Sequence, residues 1–480
     1  MGKLKEKSII QYNRTSSMKL FVLKLVHFLI SIAIFFVFWT LFRYGRLTLT
    51  GYGYRYNYYV TVGYAVLLFL FNRTYNSYLL GYTRIRMLVF YQFLSQLFTV
   101  SIVWVGTMIA WKKFASPLFL IIMLAVQLIV DVAWSYASTS IFFANVTRKR
   151  TVLVYRNELD KKRFGSIKGK ATERIYKIEK EIKYDGEFIE LRKQLEGYEA
   201  IFVAGVNSRC RNGILKYCKE EGIPGFFLPH VGDVIMQDAT HIQTFDTPVL
   251  YINRKSLNVE YAIIKRAFDI IASLLGIIIL SPIMLITTLC IKIYDGGPAL
   301  YKQVRLTKNG REFNVLKFRS MSVDAEKDGV ARLSTGDSDS RITPIGKVIR
   351  KCRADEIPQL FNILAGSMSI VGPRPERPEI AKQYYETMPD FQLRLQVRAG
   401  LTGYAQVYGR YNTDPYQKLE FDLLYIKDMN VLTDLRLMFA TVGILFLPES
   451  TEGVAVGATT AMDYENPADS TENDAETVAK

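Results

Sequence analysis

Histidine is nearly absent. The 480-residue chain holds three, His27, His230 and His241, and none lies beyond residue 241. Chemistry in the C-terminal half must therefore rest on carboxylates, lysine, arginine or a metal rather than on imidazole. His230 and His241 are isolated and read as structural. Cysteine is scarce as well: Cys210, Cys218, Cys290 and Cys352 are scattered, without metal-ligand spacing, and read as reduced thiols in a cytosolic setting. Glycine is missing where a dinucleotide would need it. Arg156-Asn157-Glu158 stands after the first strand of the middle region, in place of G-x-G-x-x-G, so no nicotinamide or flavin is expected. No cleavable leader is expected either, because the first apolar run is too long and lacks a small-residue cleavage site.

What is present is apolar and basic. Half of the residues are hydrophobic, too many for a wholly soluble chain, and the length exceeds one ordinary domain. The net charge of +16 is unevenly spread: from Pro448 onward there are eight acids and one lysine, so the rest of the chain carries +23. That balance suits anionic lipid, nucleic acid or phosphorylated substrates.

Residues 1–150 carry apolar runs near 20–41, 58–71, 87–110 and 117–134. These predict four transmembrane helices, the second one short. Basic residues before the first run and at Arg148, Lys149 and Arg150 place both termini inside; Arg43, Arg46, Lys112 and Lys113 oppose this. Asp131 lies within the fourth run. An acid at that depth is a functional candidate, but near a helix end it simply reaches water, and that is the reading preferred.

Residues 151–257 turn soluble. Strands are predicted at 151–155, 200–203, 226–228 and 249–252, with a charged helix at 173–195 and another capped by Ser208. The alternation predicts a Rossmann-like α/β domain without the glycine fingerprint. An apolar run then extends from Ile270 to Ile291, with Ser281-Pro282 at its centre and Lys302, Arg305, Lys308, Arg311, Lys317 and Arg319 soon after. So many cations resist export, so a re-entrant helix at about 267–292, broken at Ser281 and Pro282, is expected; a kinked crossing helix is the alternative. The tail, 448–480, reads as acidic and disordered.

The densest chemistry is Arg350-Lys351-Cys352-Arg353-Ala354-Asp355-Glu356-Ile357-Pro358-Gln359. Two carboxylates follow a basic cluster and precede a proline suited to a helix start. Ground of this kind suits both an anionic nucleophile and a phosphorylated substrate. Lys317-Phe318-Arg319 places two cations on one side of a strand, and Gly372-Pro373-Arg374-Pro375 is a rigid turn presenting an arginine. Gly400-Leu401-Thr402-Gly403-Tyr404 is a second turn, leading to Gly409-Arg410.

Taken in order, Lys265-Arg266-x-Phe268-Asp269, Ser281-Pro282, Asp295-x-Gly297-Pro298, Lys317-Phe318-Arg319-Ser320-Met321, Asp355-Glu356-x-Pro358-Gln359, Val371-Gly372-Pro373-Arg374-Pro375 and Gly400-Leu401-Thr402-Gly403 resemble the bacterial sugar transferases, or polyprenyl-phosphate hexose-1-phosphate transferases. The chain departs from the pattern at Arg353-Ala354, where Ser-Leu is common, and at Ala399, where proline is usual.

The resemblance implies an α+β cytosolic catalytic domain at 258–447. Asp355 would attack the sugar-bearing phosphate of a UDP-sugar, UMP would leave, and undecaprenyl phosphate would accept the phosphosugar. Glu356 would help hold Mg²⁺, with Mn²⁺ as a substitute. Arg350 and Arg374 match positions that contact phosphate or position the dyad, and Lys317 and Arg319 would line the same pocket. The expected setting is the bacterial cytoplasmic membrane, multi-pass, with catalysis on the cytoplasmic face, early in exopolysaccharide, capsule or other glycoconjugate synthesis. A lipid bilayer and a homodimer are among the expected partners, and nucleic acid is not. The rivals are a membrane scaffold or regulator of polymer export without catalysis, and a membrane-anchored nucleotide-sugar dehydrogenase or epimerase.

Overall fold

The computed structural model describes residues 2–44, 55–80, 85–112, 116–144, 147–165, 174–244, 247–252, 259–322, 341–409 and 414–445, with single residues 83, 114, 325 and 339 between them; side chains are not described throughout. Arg410 and the acidic tail lie outside the described residues. The chain divides into two compact units, Met1–Leu228 and Pro229–Lys480.

The first unit opens with helices α1 (Gly2–Tyr44), α2 (Arg55–Thr74), α3 (Ile85–Trp111) and α4 (Leu118–Ala144). Four helices among the described residues are long and apolar enough to cross a membrane: Met18–Leu41, Ile85–Ala110, Leu118–Ala144 and, in the second unit, Val259–Asp295. The second predicted run does form a helix, α2, but it is not in that set. It buries Tyr64 and Leu68 among Phe35, Trp39, Val100 and Met123 of its neighbours. Asp131 does not reach water as expected. It is fully buried, and its Oδ1 lies 2.9 Å from His27 Nε2, a contact made across 104 residues.

The same unit contains strands β1 (Lys149–Tyr155), β2 (Tyr176–Lys183), β3 (Ala200–Ala204) and β4 (Gly225–Phe227). They form one parallel sheet in the order β2-β1-β3-β4. Val152, Leu153, Val154 and Ile201 are fully buried, as strands covered on both faces require. The charged stretch predicted as one helix from 173 to 195 is instead β2 followed by a helix, Phe188–Leu195. β2 is an edge strand, so one side stays in solvent, and its lysines and glutamates conceal the alternation of Tyr176, Ile178 and Ile182. Asn207, not Ser208, caps the helix Ser208–Glu221, accepting from Cys210 N at 2.9 Å. After β1, the Asn157 side chain accepts from Asp160 N at 2.8 Å and opens the helix Glu158–Gly165. The Asp160 carboxylate then lies over Gly205, at the end of β3, where a β-carbon would come within 1.8 Å of it. All four cysteines are free thiols.

In the second unit, the expected strand near 249–252 pairs with Thr240–Thr244 as an antiparallel hairpin, apart from the parallel sheet. The helix Val259–Asp295 follows. Its first third is bolted to the soluble body. Lys265 Nζ lies 2.7 Å from Asp434 Oδ2, Arg266 donates to the carbonyls of Ile363 and Leu364 at 2.7 and 2.8 Å, and Asp269 accepts from Ile370 N at 3.0 Å. Beyond this point Ile278, Ile279, Leu285 and Ile286 face outward. The break expected at Ser281 and Pro282 is not there: one helix runs on through Pro282. Proline offers no N–H to the carbonyl four residues back, that of Ile278. The Ser281 hydroxyl donates to that carbonyl at 2.8 Å instead.

The rest of the body comprises a hairpin, Leu300–Leu306 with Glu312–Phe318, and short helices around the parallel strand pair Met368–Val371 and Ala399–Thr402. The second glycine turn expected from the sequence is mostly strand, Ala399–Thr402, and it zips to the turn at Gly372. Gly372 N donates to Thr402 O, and Gly400 N to Pro373 O, both at 2.8 Å. A β-carbon on Gly400 would meet Gly372 N at 2.1 Å, so the backbones approach as only glycine permits.

Candidate active site

The Asp-Glu pair sits in a single 3₁₀ turn, Ala354–Glu356, between the helices Pro344–Lys351 and Gln359–Ala365. Thr343 caps the first of these helices by accepting from Gly346 N at 2.9 Å, and Pro358 stands directly before the second. Entry into the turn is strained: Arg353 holds φ at 51°, a left-handed conformation that side chains with a β-carbon adopt at a cost of about 1–3 kcal/mol. Such strain persists where the surroundings over-determine it. Here Arg353 Nη1 lies 3.8 Å from Glu356 Oε2.

Glu356 is held on both oxygens. Arg374 Nη2 donates to Oε1 at 2.9 Å, and Lys317 Nζ lies 3.5 Å from the same atom. Burial alone would raise its pKa, but Arg374, Lys317 and Arg353 together hold the carboxyl well below the usual range. Asp355 is the opposite case. It is half-buried and has no hydrogen bond or ion pair among the described residues. Burial and then the Glu356 charge push its pKa up, while Lys317, Arg350 and Arg374 pull it down. Lys317 is itself lowered by burial, against the pull of Glu356. The pair thus contains one carboxylate held in place and in its ionised form by cations, and one unbonded carboxylate in the same field.

The four cations expected here divide three to one. Lys317 and Arg374 touch Glu356. Arg350 Nε donates to Ser320 Oγ at 2.8 Å and acts on Asp355 through its charge. Arg319 does not join them. It is buried and ion-paired with Asp295, and it packs on Gly297, so the Asp295-x-Gly297 segment forms its socket. Lys317 and Arg319 share a strand side, but Arg319 lies past the strand's end, where the chain turns toward Asp295.

Three residues behind Arg374 were not picked out from the sequence. Arg394 Nε donates to Asp422 Oδ2 at 2.8 Å, and its Nη2 donates to the Arg374 carbonyl at 2.8 Å. Its Nη1 lies 3.8 Å from Glu376 Oε1. Arg394 and Asp422 are 3% and 1% exposed, so this pair is sealed from solvent. Burial pushes Asp422 up to about 6, against Arg394, whereas Lys418, Arg394 and Arg305 outweigh burial at Glu376 and lower it. No local signal marks them: from Phe391 to Val397 polar and apolar residues simply alternate, with Arg394 as one of the polar ones.

For a metal, the dyad offers hard carboxylate oxygens, the donor type that Mg²⁺ and Mn²⁺ take. No three His, Cys, Asp or Glu side chains converge among the described residues. An ion here would thus be held by Glu356 and completed by substrate oxygens and water, which suits Mg²⁺.

Comparison with known proteins gives a family for most of the second unit. The profile of the bacterial sugar transferases matches residues 260–448. The chain is 42% identical over 185 residues, 38% of its length, to the UDP-N-acetylgalactosamine-undecaprenyl-phosphate N-acetylgalactosaminephosphotransferase of Aeromonas hydrophila, covering 43% of that protein. It is 37% identical over 206 residues to the UDP-glucose:undecaprenyl-phosphate glucose-1-phosphate transferase of Escherichia coli K12, covering 42% of each chain. The match thus spans less than half the length of these two relatives. It is 41% identical over 189 residues, 38% of its length, to the exopolysaccharide production protein PSS of Rhizobium leguminosarum bv. phaseoli, and there it covers 94% of the relative.

Proposed function

The chain belongs to the bacterial sugar transferase family, and from that premise we propose that its second unit moves a sugar phosphate from a UDP-sugar to undecaprenyl phosphate. Two of the relatives named above carry acceptors and donors of this class in their names. The observation that carries the reading is the asymmetry of the dyad: Glu356 is locked by Arg374, Lys317 and Arg353, and Asp355 is unbonded.

In this reading an Asp355 oxygen attacks the sugar-bearing phosphorus, the bond to the bridging oxygen breaks, and UMP leaves with that oxygen. An oxygen of undecaprenyl phosphate then attacks the same phosphorus, and Asp355 departs as a carboxylate. Two displacements replace one difficult transfer. Phosphoryl transfer asks for charge neutralisation and placement more than proton transfer, which a site of arginine and lysine without histidine supplies. Arg374 and Lys317 fix Glu356 so that it cannot compete as nucleophile. Lys317, Arg350 and Arg374 oppose the rise that burial and the Glu356 charge impose on the Asp355 pKa, and so favour its ionised form. A bound Mg²⁺ on Glu356 would offset diphosphate charge as UMP leaves.

The same reading takes 1–150 as a multi-pass anchor, 151–257 as a Rossmann-like domain without a nucleotide, and 258–447 as the catalytic domain on the cytoplasmic face of the inner membrane. The helix Val259–Asp295 is taken as re-entrant. Its outward apolar residues and the cations after it support this, because a crossing would carry Lys302, Arg305 and Lys308 to the far side. Association as a homodimer remains part of the proposal.

The test is UMP release from UDP-sugars by membranes containing the protein, with the ³²P-labelled sugar phosphate trapped on the chain before acceptor is added. Label that survives denaturation in the native protein and is absent from Asp355→Asn supports the reading. Turnover without UMP, or none with any UDP-sugar, would leave a scaffold or a different transferase.

A further inference from the structure

The polar groups buried among α1 to α4 have no part in the chemistry proposed above. In helices this apolar, an uncompensated polar group costs several kcal/mol, on the order of 2–7, so polar side chains gathered at one depth need a reason. Three helices supply one each: His27 from α1, Gln96 from α3 and Asp131 from α4, none more than 1% exposed.

The hydrogen bonds run in one direction. Asn72 Nδ2 donates to Tyr78 Oη at 3.3 Å, and Tyr78 Oη lies 2.9 Å from His27 Nδ1. His27 Nε2 lies 2.9 Å from Asp131 Oδ1, which also accepts from Gln96 Nε2 at 2.9 Å. A neutral imidazole with its proton on Nε2 donates to Asp131 and accepts from the tyrosine hydroxyl, so the chain Asn72, Tyr78, His27, Asp131 closes without a conflict. Three atoms are left over. Asp131 Oδ2 is fully buried and has no partner among the described residues, and the amide oxygens of Gln96 and Gln127 are in the same condition. The group holds three idle acceptors and is short of a donor.

A permanent clamp between helices would not need a carboxylate, since an amide at position 131 could accept the same two bonds without bringing a charge into the apolar bundle. A proton on Oδ2 removes that charge and supplies a donor. Gln96, whose amide already lies against the carboxylate, brings one of the waiting oxygens. Access is also present. Tyr78 is only partly buried and lies in the turn after α2, where it packs with Leu80, Leu88 and Trp134 and with Leu20 and Leu23 at the start of the apolar part of α1.

We propose that His27 and Asp131 form a proton-binding site inside the N-terminal helices, filled from one end of the bundle through Tyr78. Loading adds one proton to the Asp131 carboxylate and changes no other covalent bond. The other titratable groups facing it are Tyr64 of α2, whose hydroxyl accepts from Gln127 Nε2 at 2.9 Å, and Tyr78 itself. From α3, Gln92 and Gln96 face the cluster and carry no charge.

The test is an infrared pH titration of the full chain in lipid nanodiscs. A carbonyl band of a dry, protonated carboxylic acid should grow as pH falls and vanish in Asp131→Asn. Its midpoint should move by about one unit or more in His27→Gln, which takes away the imidazole partner. In Tyr78→Phe the band should remain but fill more slowly after a pH jump. The absence of any titrating band that Asp131→Asn removes overturns the proposal, as does a melting temperature lowered by both variants with no such band, the mark of a clamp. A midpoint that follows Na⁺ at constant ionic strength also overturns it, assigning the site to a metal cation. If Asp131→Asn does not fold, Asp131→Glu keeps the acid on a longer stem, and an unmoved band in that variant is equally fatal.

Discussion

The parallel sheet of the first unit and the glycine turns of the second solve the same local problem in opposite ways. In both, a parallel strand ends at a glycine and the chain must decide what occupies the space above it. At Gly205 the occupant is the carboxylate of Asp160. At Gly372 and Gly400 it is the backbone of the opposite turn, which leaves Arg374 pointing at Glu356. An acid over the strand end repels phosphate, whereas a cation at the strand end attracts it. Strand topology alone would not have distinguished the two regions; the sign of the charge does.

The contrast breaks most completely at the nucleophile. Asp355→Asn keeps shape and loses the anion, so UMP release should fall on the order of a thousandfold or more while thermal unfolding stays near that of the native chain. Near-native turnover in a folded variant would remove Asp355 from the reaction. Arg394→Ala comes next. It leaves Asp422 buried without its partner and frees the Arg374 carbonyl, and should cost about 3–5 kcal/mol in denaturant unfolding of the second unit. A cost under about 1 kcal/mol would mean that water reaches the pair.

The glycines sharpen the contrast directly. Gly400→Ala drives a methyl group into the Gly372 backbone, which cannot step aside, and should both destabilise the second unit and lower activity at least tenfold. Gly205→Ala meets only the movable end of Asp160, in addition to the strain of a φ of 67°. It should cost about 1–3 kcal/mol and leave UMP release unchanged, because no proposed chemistry lies there. Equal loss of activity in the two variants would dissolve the distinction.

The smallest effect is in the pH profile. Asp355 is raised and Glu356 lowered, so on acidification Asp355 protonates first and activity falls while Glu356 stays ionised. Arg374 lowers the pKa of Asp355, so Arg374→Gln raises it further. The acid limb of kcat/KM should therefore move to higher pH, by about one unit. A limb that moves down, or not at all, would place Arg374 too far away to act on Asp355.

The sequence showed much of the site and little of its support. Asp355, Glu356 and Arg374 could be read because their neighbours are close in the chain or lie in turns with their own signatures. Arg353 was seen only as a departure from the family pattern. Its left-handed backbone and its reach to Glu356 are three-dimensional facts. Arg394, Asp422 and Glu376 meet across separate helices and loops and carry no local pattern. Arg319 was drawn to the wrong partner because alternation along a strand says which side a residue takes, not where the strand ends. β2 was lost to its own charges, since an edge strand with one wet face resembles a solvated helix in composition. His27 and Asp131 are 104 positions apart, and nothing short of the fold could pair them.

The zipped glycine turns also have a mechanical meaning. Gly372 is tied to Thr402, Gly400 to Pro373, and the Thr402 hydroxyl to Thr441 on the helix Val431–Leu445. A push on Arg374 is therefore not absorbed by a yielding loop but passed through a stiff plate to that helix. Asp434, on the same helix, grips Lys265 at the root of the apolar helix Val259–Asp295. Force applied where phosphate would bind and force applied where lipid would press thus act on one lever, with the strand pair Met368–Val371 and Ala399–Thr402 as its fulcrum.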